Sequence, residues 1–144
     1  MNKKAQKAGW RKLDELYAAV PKFRCIEGCT ECCGVVPISL LELARIGKRE
    51  RVADAADGCC PYRAEGSCSI HGKRPLTCRL FGAVEHPRMT CPHGRGPERK
   101  LSRGQAARLM ARYSKLTGVP ENTRVLGAGM ARLTAALENL QEGQ

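Results

Sequence analysis

The sequence predicts a mainly α-helical fold, in which a loop-rich cysteine core is flanked by an N-terminal helix and a C-terminal helical hairpin. The chain has 144 residues, a length typical of one domain. Apolar residues recur three and four positions apart near both ends, and all nine cysteines lie between these periodic segments. We therefore expect a single domain over residues 1–144, with the helix in 1–22, the cysteine region in 23–96 and the hairpin in 97–144.

The N-terminal segment has the spacing of an amphipathic helix. Its apolar positions are Trp10, Leu13, Leu16, Tyr17 and Val20. These positions share one helix face. Pro21 ends the helix, because proline has no amide hydrogen and clashes with the preceding turn. Lysines and arginines occupy the opposite face, which we interpret as a solvated surface.

One helix start stands out in the cysteine region. Ser39 and Glu42 have the spacing of a capping box, and Ile38 and Leu43 have that of a hydrophobic staple. This pattern predicts a helix that begins at residue 40 and ends at about residue 46. A longer helix that ends at residue 56 is the alternative. The rest of the region has too little alternation to predict strands.

Two helical stripes follow Pro97. The first comprises Leu101, Leu109, Tyr113 and Leu116. Gly118 and Pro120 end this helix. The second comprises Leu126, Met130, Leu133, Leu137 and Leu140. The stripes predict a hairpin that packs on the protein's own core, and an interface with a second copy is the alternative.

Hydropathy and charge exclude some classes of protein. No apolar run reaches the length of about 18 residues that a membrane-spanning helix needs. The basic N-terminus has no continuous apolar stretch typical of a secretory signal, so we expect a cytoplasmic protein with no membrane partner. The formal net charge of +11 leaves nucleic acid open as a partner.

The cysteines are the strongest chemical signal. All nine lie within residues 25–91, where Cys32-Cys33 and Cys59-Cys60 are adjacent pairs. An odd number with adjacent pairs fits a disulfide framework poorly, and cytoplasmic thiols stay reduced. We therefore predict a metal-stabilised core, since bound metal would also stabilise a region with few large apolar residues.

Eight cysteines are assigned as metal ligands, because eight divides into two sites of four sulfurs. They are Cys25, Cys29, Cys32, Cys33, Cys60, Cys68, Cys78 and Cys91. Cys59 is left as a buried apolar residue, because Cys60 precedes a proline just as Cys91 does. Eight thiolates and two Zn²⁺ ions, or two clusters of charge +2, would lower the formal charge from +11 to +7.

The cysteines also stand in a recognisable order of motifs. These are Cys-x3-Cys-x2-Cys-Cys over 25–33, Cys60-Pro61-Tyr62, Gly66-Ser67-Cys68-Ser69-Ile70, Arg74-Pro75-Leu76-Thr77-Cys78-Arg79-Leu80-Phe81, and Cys91. The pattern covers about residues 23–95 and resembles the YkgJ-type cysteine-cluster family, described as zinc- or iron-chelating domains with eight cysteines. The resemblance implies metal binding through these eight positions. His71 departs from the family, which typically has tyrosine there, and it offers a nitrogen ligand.

The spacing favours an iron–sulfur cluster over zinc. Structural zinc commonly uses closely paired cysteines, whereas Cys60, Cys68 and Cys78 are spread eight and ten residues apart. Adjacent Cys32 and Cys33 have difficulty facing the same ion. A cluster with several irons accommodates such divergent sulfurs more easily, and zinc is the alternative.

Histidines and arginines near the cysteines are further candidates. His71, His86 and His93 could each replace a cysteine or lie on the surface, and His71 is the best placed because it lies between two predicted ligands. Arg74 and Arg79 flank the seventh predicted ligand. They would either donate hydrogen bonds to thiolates or be solvated.

We expect a metal-binding protein that holds an iron–sulfur cluster or zinc through eight cysteines. The resemblance implies a role in electron transfer or as the cluster module of a modification enzyme. The sequence does not identify a redox partner, a substrate partner or any catalytic residue. The alternative is a basic zinc-binding module that contacts nucleic acid without catalysis, suggested by the basic residues of 94–103. The six aromatics are scattered, which disfavours a base-stacking surface.

Overall fold

The computed structural model describes residues 2–29, 38–47, 60, 62–64 and 67–119. Within these ranges the α-helices are α1 (Lys3–Ala18), α2 (Leu40–Ile46), α3 (Leu76–Leu80) and α4 (Arg103–Thr117). The strands are β1 (Arg63–Ala64) and β2 (Ser67–Cys68), and two 3₁₀ helices span His71–Lys73 and Pro87–Met89. The chain is therefore mainly helical, as predicted. The predicted second helix of the hairpin, over 126–140, and Cys32, Cys33 and Cys59 lie outside the described residues.

Helix α1 follows the apolar stripe that predicted it. The side chain of Asn2 caps its first turn by accepting a hydrogen bond from the amide three residues on, at 2.8 Å. Both leucines of the stripe are buried, while the lysines of the opposite face are exposed. The helix ends at Ala18, slightly before the predicted end, because Pro21 follows closely.

Helix α2 begins with the predicted capping box. The Ser39 hydroxyl accepts from the amide of Glu42 at 3.2 Å, and the Glu42 carboxylate accepts from the amide of Ser39 at 3.1 Å. Gly47, with φ of 90°, ends the helix at the nearer of the two predicted ends, and residues 48–56 lie outside the described ranges. The helix packs against α1, where Trp10 Nε1 donates to the Leu41 carbonyl at 3.0 Å.

Two elements of the cysteine region were not predicted. Strands β1 and β2 pair antiparallel, with Arg63 opposite Cys68. Helix α3 begins after Pro75 and has five residues. Segments of two to five residues are too short to show a hydrophobic period, which is why the sequence did not indicate them. The structure thus adds one short β-hairpin to a region in which the sequence had too little alternation to predict strands.

Helix α4 is the first helix of the predicted hairpin. The Ser102 hydroxyl accepts from the Gln105 amide at 3.1 Å, and Gln105 Oε1 accepts from the Ser102 amide at 2.9 Å. This second capping box was missed, although the spacing of Ser102 and Gln105 indicates it. Gly118, with φ of 79°, ends the helix as predicted. Leu109 and Tyr113 are buried, as the stripe requires.

The core lies where α1 contacts α2, α3 and α4. Its buried members are Leu13, Leu16, Val20, Leu41, Leu76, Leu80, Ala83, Val84, Leu109 and Tyr113. Each fully buried leucine stabilises the fold by about 1.5–3 kcal/mol. Leu76 and Leu80 of α3 belong to this core, and α3 carries the predicted ligand Cys78. None of the helices in the described ranges is both long enough and apolar enough to span a membrane.

Candidate metal centre

A buried carboxylate joins four helices beneath the cysteine region. Glu42 of α2 is 1% exposed, and its two oxygens accept five hydrogen bonds. The donors to Oε1 are the Tyr17 hydroxyl at 2.8 Å and the Leu76 amide at 2.9 Å. The donors to Oε2 are the Ser39 amide at 3.1 Å, the Ser39 hydroxyl at 2.8 Å and the Tyr113 hydroxyl. A carboxylate can be buried at this depth because it is so fully hydrogen-bonded.

This carboxylate sets the position of α3. Leu76 is the first residue of α3, so its amide has no acceptor within the helix. Because Glu42 accepts from it, α3 and Cys78 are tied to α2, and α3 also packs against α1. Burial, followed by the Glu42 charge, raises the pKa of the Tyr17 and Tyr113 hydroxyls above the ordinary range, which keeps both protonated as donors.

Four of the predicted ligands line one cavity. Cys25 and Cys29 come from the turn that follows α1, Cys78 comes from α3, and Cys91 comes from the segment that follows α3. Gly28, with φ of 76°, allows the chain to turn between the first two. Three separate segments thus bring cysteines to one space.

The other walls of this cavity are aromatic and cationic. Phe23 and Phe81 contribute apolar surface, Arg74 and Arg95 contribute positive charge, and His93 also lines the space. The cavity has a volume of about 40 Å³. Pockets for small organic molecules have roughly 300–1,000 Å³. The cavity therefore suits a small inorganic group rather than an organic substrate.

Two further predicted ligands within the described ranges do not line this cavity. Cys60 is buried just before the β-hairpin and Cys68 is half-buried within it, and neither lines the cavity. Cys32 and Cys33 lie outside the described residues. Among the residues that the structure describes, no three cysteine, histidine or acidic side chains are close enough together to hold a metal ion. The four cysteines thus share a cavity without being drawn into a coordination shell.

The histidines are placed differently from the prediction. His71, the favoured candidate, does not line the cavity, whereas His93 does. Partial burial, and then the positive charges of Arg74 and Arg79, lower the pKa of His71. His86 accepts from the amide two residues on at 3.0 Å through Nδ1, so it caps a turn. The sequence signal for His93 was its place two residues after the last predicted ligand.

The two arginines that flank Cys78 also differ. Arg74 lines the cavity, and its Nε donates to the His71 carbonyl at 2.9 Å. Arg79 does not line it; its guanidinium lies over the Tyr17 ring, 4.1 Å from the centroid. The pKa of Arg79 is lowered, and partial burial is the main cause. Of the two, Arg74 is the one positioned to offset thiolate charge in the cavity.

Comparison with protein-family models, with curated proteins and with solved structures finds no match for this chain.

Proposed function

We propose that the chain binds a metal centre, an iron–sulfur cluster or zinc, at the cavity lined by Cys25, Cys29, Cys78 and Cys91. The observation that carries this proposal is that three segments distant in sequence contribute four cysteines to one small cavity. Thiolate sulfur is a ligand common to structural zinc and iron–sulfur clusters, and four thiolates complete either site. Because the free energy of metal binding is coupled to folding, a bound metal would draw the four side chains together.

The charges around the cavity support the same proposal. Four thiolates carry a net charge of about −2 with one Zn²⁺, and the same charge with a cluster core of charge +2. Arg74 and Arg95 line the cavity and supply two positive charges. Their guanidinium groups would neutralise the site and donate hydrogen bonds that orient the sulfur ligands.

We propose a second group of ligands that completes an eight-cysteine centre of the YkgJ type. Its members are Cys32, Cys33, Cys60 and Cys68. Two of them, Cys60 and Cys68, are close to the β-hairpin and outside the first cavity, in keeping with a separate site. An iron–sulfur cluster is preferred because two adjacent cysteines, Cys32 and Cys33, have difficulty binding one ion, whereas a cluster offers several irons. Electron transfer, or the cluster module of a modification enzyme, is the role that such a cluster would serve.

Metal analysis of the protein purified without oxygen tests these proposals. A cluster predicts several iron atoms and matching sulfide per chain, whereas structural zinc predicts about one or two zinc ions. Cys29→Ser and Cys78→Ser should each remove about half of the bound metal, because each removes one ligand from one of two sites. Cys59→Ser is the matched control, and it should keep the full metal content.

Three results would contradict the assignments. Unchanged metal content in both Cys29→Ser and Cys78→Ser, or wild-type protein without iron or zinc, would refute the cavity as a metal site. Loss of metal in Cys59→Ser would show that the ninth cysteine is a ligand. Reversible reduction of the iron form, seen as bleaching of its visible absorption, would support electron transfer.

A zinc-stabilised module that binds nucleic acid is the second candidate function. The observation that favours it is that Arg95 and Arg99, on the segment that leads from the cavity to α4, and Arg103, the first residue of α4, are exposed. Arginines on one exposed segment are suited to phosphate contacts. Zinc without iron, together with retention on duplex DNA or RNA that weakens steeply with salt, would favour this function.

A further inference from the structure

A second cavity adjoins the cysteine cavity and carries a different chemistry. Its volume is about 170 Å³, and three cationic side chains line it: Lys22, Arg74 and Arg79. Tyr17 and Phe23 add aromatic surface. Phe23 and Arg74 also line the cysteine cavity, so the two spaces share a wall.

None of the described residues that line this second cavity is a carboxylate. Within the described ranges, Lys22, Arg74 and Arg79 form no ion pair with an acidic side chain. Cys25 also lines the space, and as a thiolate it would leave a net charge of about +2. Cations that share a cavity with so little counter-charge repel one another, and a bound anion relieves that repulsion.

The arginines are held in place by bonds that leave most of their donors for a ligand. Arg79 donates through Nε to the Arg74 carbonyl at 2.8 Å and through Nη2 to the Gly72 carbonyl at 3.3 Å. The Tyr17 ring beneath it further restricts the guanidinium. A guanidinium has five N–H donors, so three remain on Arg79 beyond these bonds. On Arg74, Nε donates to the His71 carbonyl, and four donors remain for the two cavities that this residue lines.

We propose that this second cavity binds a phosphate-type oxyanion, either free phosphate or the phosphate group of a small organic monoester. Forked guanidinium donors match the oxygens of such an anion, and Lys22 adds a third charge. The ring of Phe23 would contact the organic part of a monoester. Lys22 and Arg79 lie outside the cysteine cavity, so variants at these two positions test the oxyanion site apart from the metal.

Calorimetric titration of inorganic phosphate, and separately of phenyl phosphate, into the full chain with its metal tests the proposal. We expect saturable binding at low ionic strength. Lys22→Gln should weaken the binding about threefold and Arg79→Gln about tenfold or more. The difference is expected because the forked, charge-assisted hydrogen bonds of an arginine are stronger than the attraction of an exposed lysine. Arg79→Lys, which keeps the charge but not the fork, should fall between them. Lys3→Gln is the matched control, since it removes the same charge at the other end of α1.

The two probes distinguish the sources of the oxyanion. Tighter binding of phenyl phosphate would assign the cavity to a monoester, and equal affinities would assign it to free phosphate. No saturable binding up to about 10 mM of either probe would overturn the proposal. An equal loss of affinity in Lys3→Gln and Lys22→Gln would also overturn it, because net charge alone would then explain the binding.

Two further measurements keep the test independent of folding and of the metal proposal. Lys22 is exposed, so Lys22→Gln should fold normally even where a change at Arg79 does not. Metal content measured in the same samples separates the two sites. Phosphate binding that persists in a Cys78→Ser protein with normal metal would refute the metal assignment alone. Absent phosphate binding in a wild-type chain with full metal would refute the oxyanion site alone.

Discussion

Replacement of Glu42 by glutamine should destabilise the whole fold. The carboxylate accepts five hydrogen bonds, and an amide has a single oxygen. If that oxygen takes the place of Oε2, it keeps the bonds from Ser39 and Tyr113. The amide NH₂ group then faces the Tyr17 hydroxyl and the Leu76 amide. One side of the carboxylate therefore loses its acceptor in either orientation.

The expected loss follows from these bonds. The Tyr17 hydroxyl can rotate and accept from the NH₂ group, but the Leu76 amide is left buried without an acceptor, which costs about 1–3 kcal/mol. The three retained bonds lose their charge assistance, at about 1 kcal/mol each. The smaller desolvation cost of a neutral side chain offsets part of this loss. We expect the free energy of unfolding to fall by about 3–5 kcal/mol, a large share of the roughly 5–15 kcal/mol typical of a domain.

Urea unfolding at neutral pH, followed by circular dichroism, measures this loss. Glu15→Gln is the matched control: its pair with Arg112 is 3.9 Å long and both side chains are more than half exposed, so the change should stay below about 0.5 kcal/mol. Tyr113→Phe, which removes one donor, should give an intermediate loss. A loss below about 1 kcal/mol for Glu42→Gln would refute the reasoning, because the carboxylate would then stabilise the fold no more than a single neutral hydrogen-bond acceptor does.

Three further results are expected. The pKa of the fully buried Tyr113 hydroxyl is raised above its ordinary value, so above about pH 10 the unfolded state loses this proton before the folded state does. The free energy of unfolding should therefore fall with rising pH, by about 1.4 kcal/mol per pH unit from this group. Urea unfolding of Tyr113→Phe should lack that part of the slope. Gly82 has φ of 82°, and an added Cβ would lie 2.7 Å from Cζ of Phe23. Gly118 has a similar φ of 79°, but an added Cβ there would meet nothing within 4 Å. Gly82→Ala should therefore lower the melting temperature more than Gly118→Ala does. Removal of bound metal by a chelator should also lower the melting temperature of the full chain, because the free energy of metal binding adds to that of folding.

Each of these results has a contradicting outcome. Equal alkaline slopes for wild type and Tyr113→Phe would show that this hydroxyl is not protected from ionisation in the folded state. Equal losses in the two glycine variants would show that Phe23 moves aside without cost. An unchanged melting temperature after metal removal, verified by elemental analysis, would argue against a metal-stabilised core.

Long and locally marked elements could be predicted from the sequence. The start of α2 was correct because its determinants, Ser39 and Glu42, are three positions apart and interact within one turn. The end of α4 at Gly118 is equally local. Helix α3 was missed because five residues show no period, and it forms where Glu42 and the core hold it.

The candidate site could be predicted only in its chemistry. The residue types and their number indicated thiolate ligands. Nothing local indicated that Cys25 and Cys29 share a cavity with Cys78 and Cys91 while Cys68 does not. That grouping depends on how loops pack against α1 and α3, which spacing along the chain does not describe.

Glu42 shows most clearly where local information ends. Its spacing from Ser39 accounts for the cap of α2, because a capping box needs only neighbouring groups. Its burial, and its bonds to Tyr17, Leu76 and Tyr113, arise only when α1, α3 and α4 meet around it. A buried charge is stable only where donors from distant segments replace its water, and those donors come together only in the folded chain.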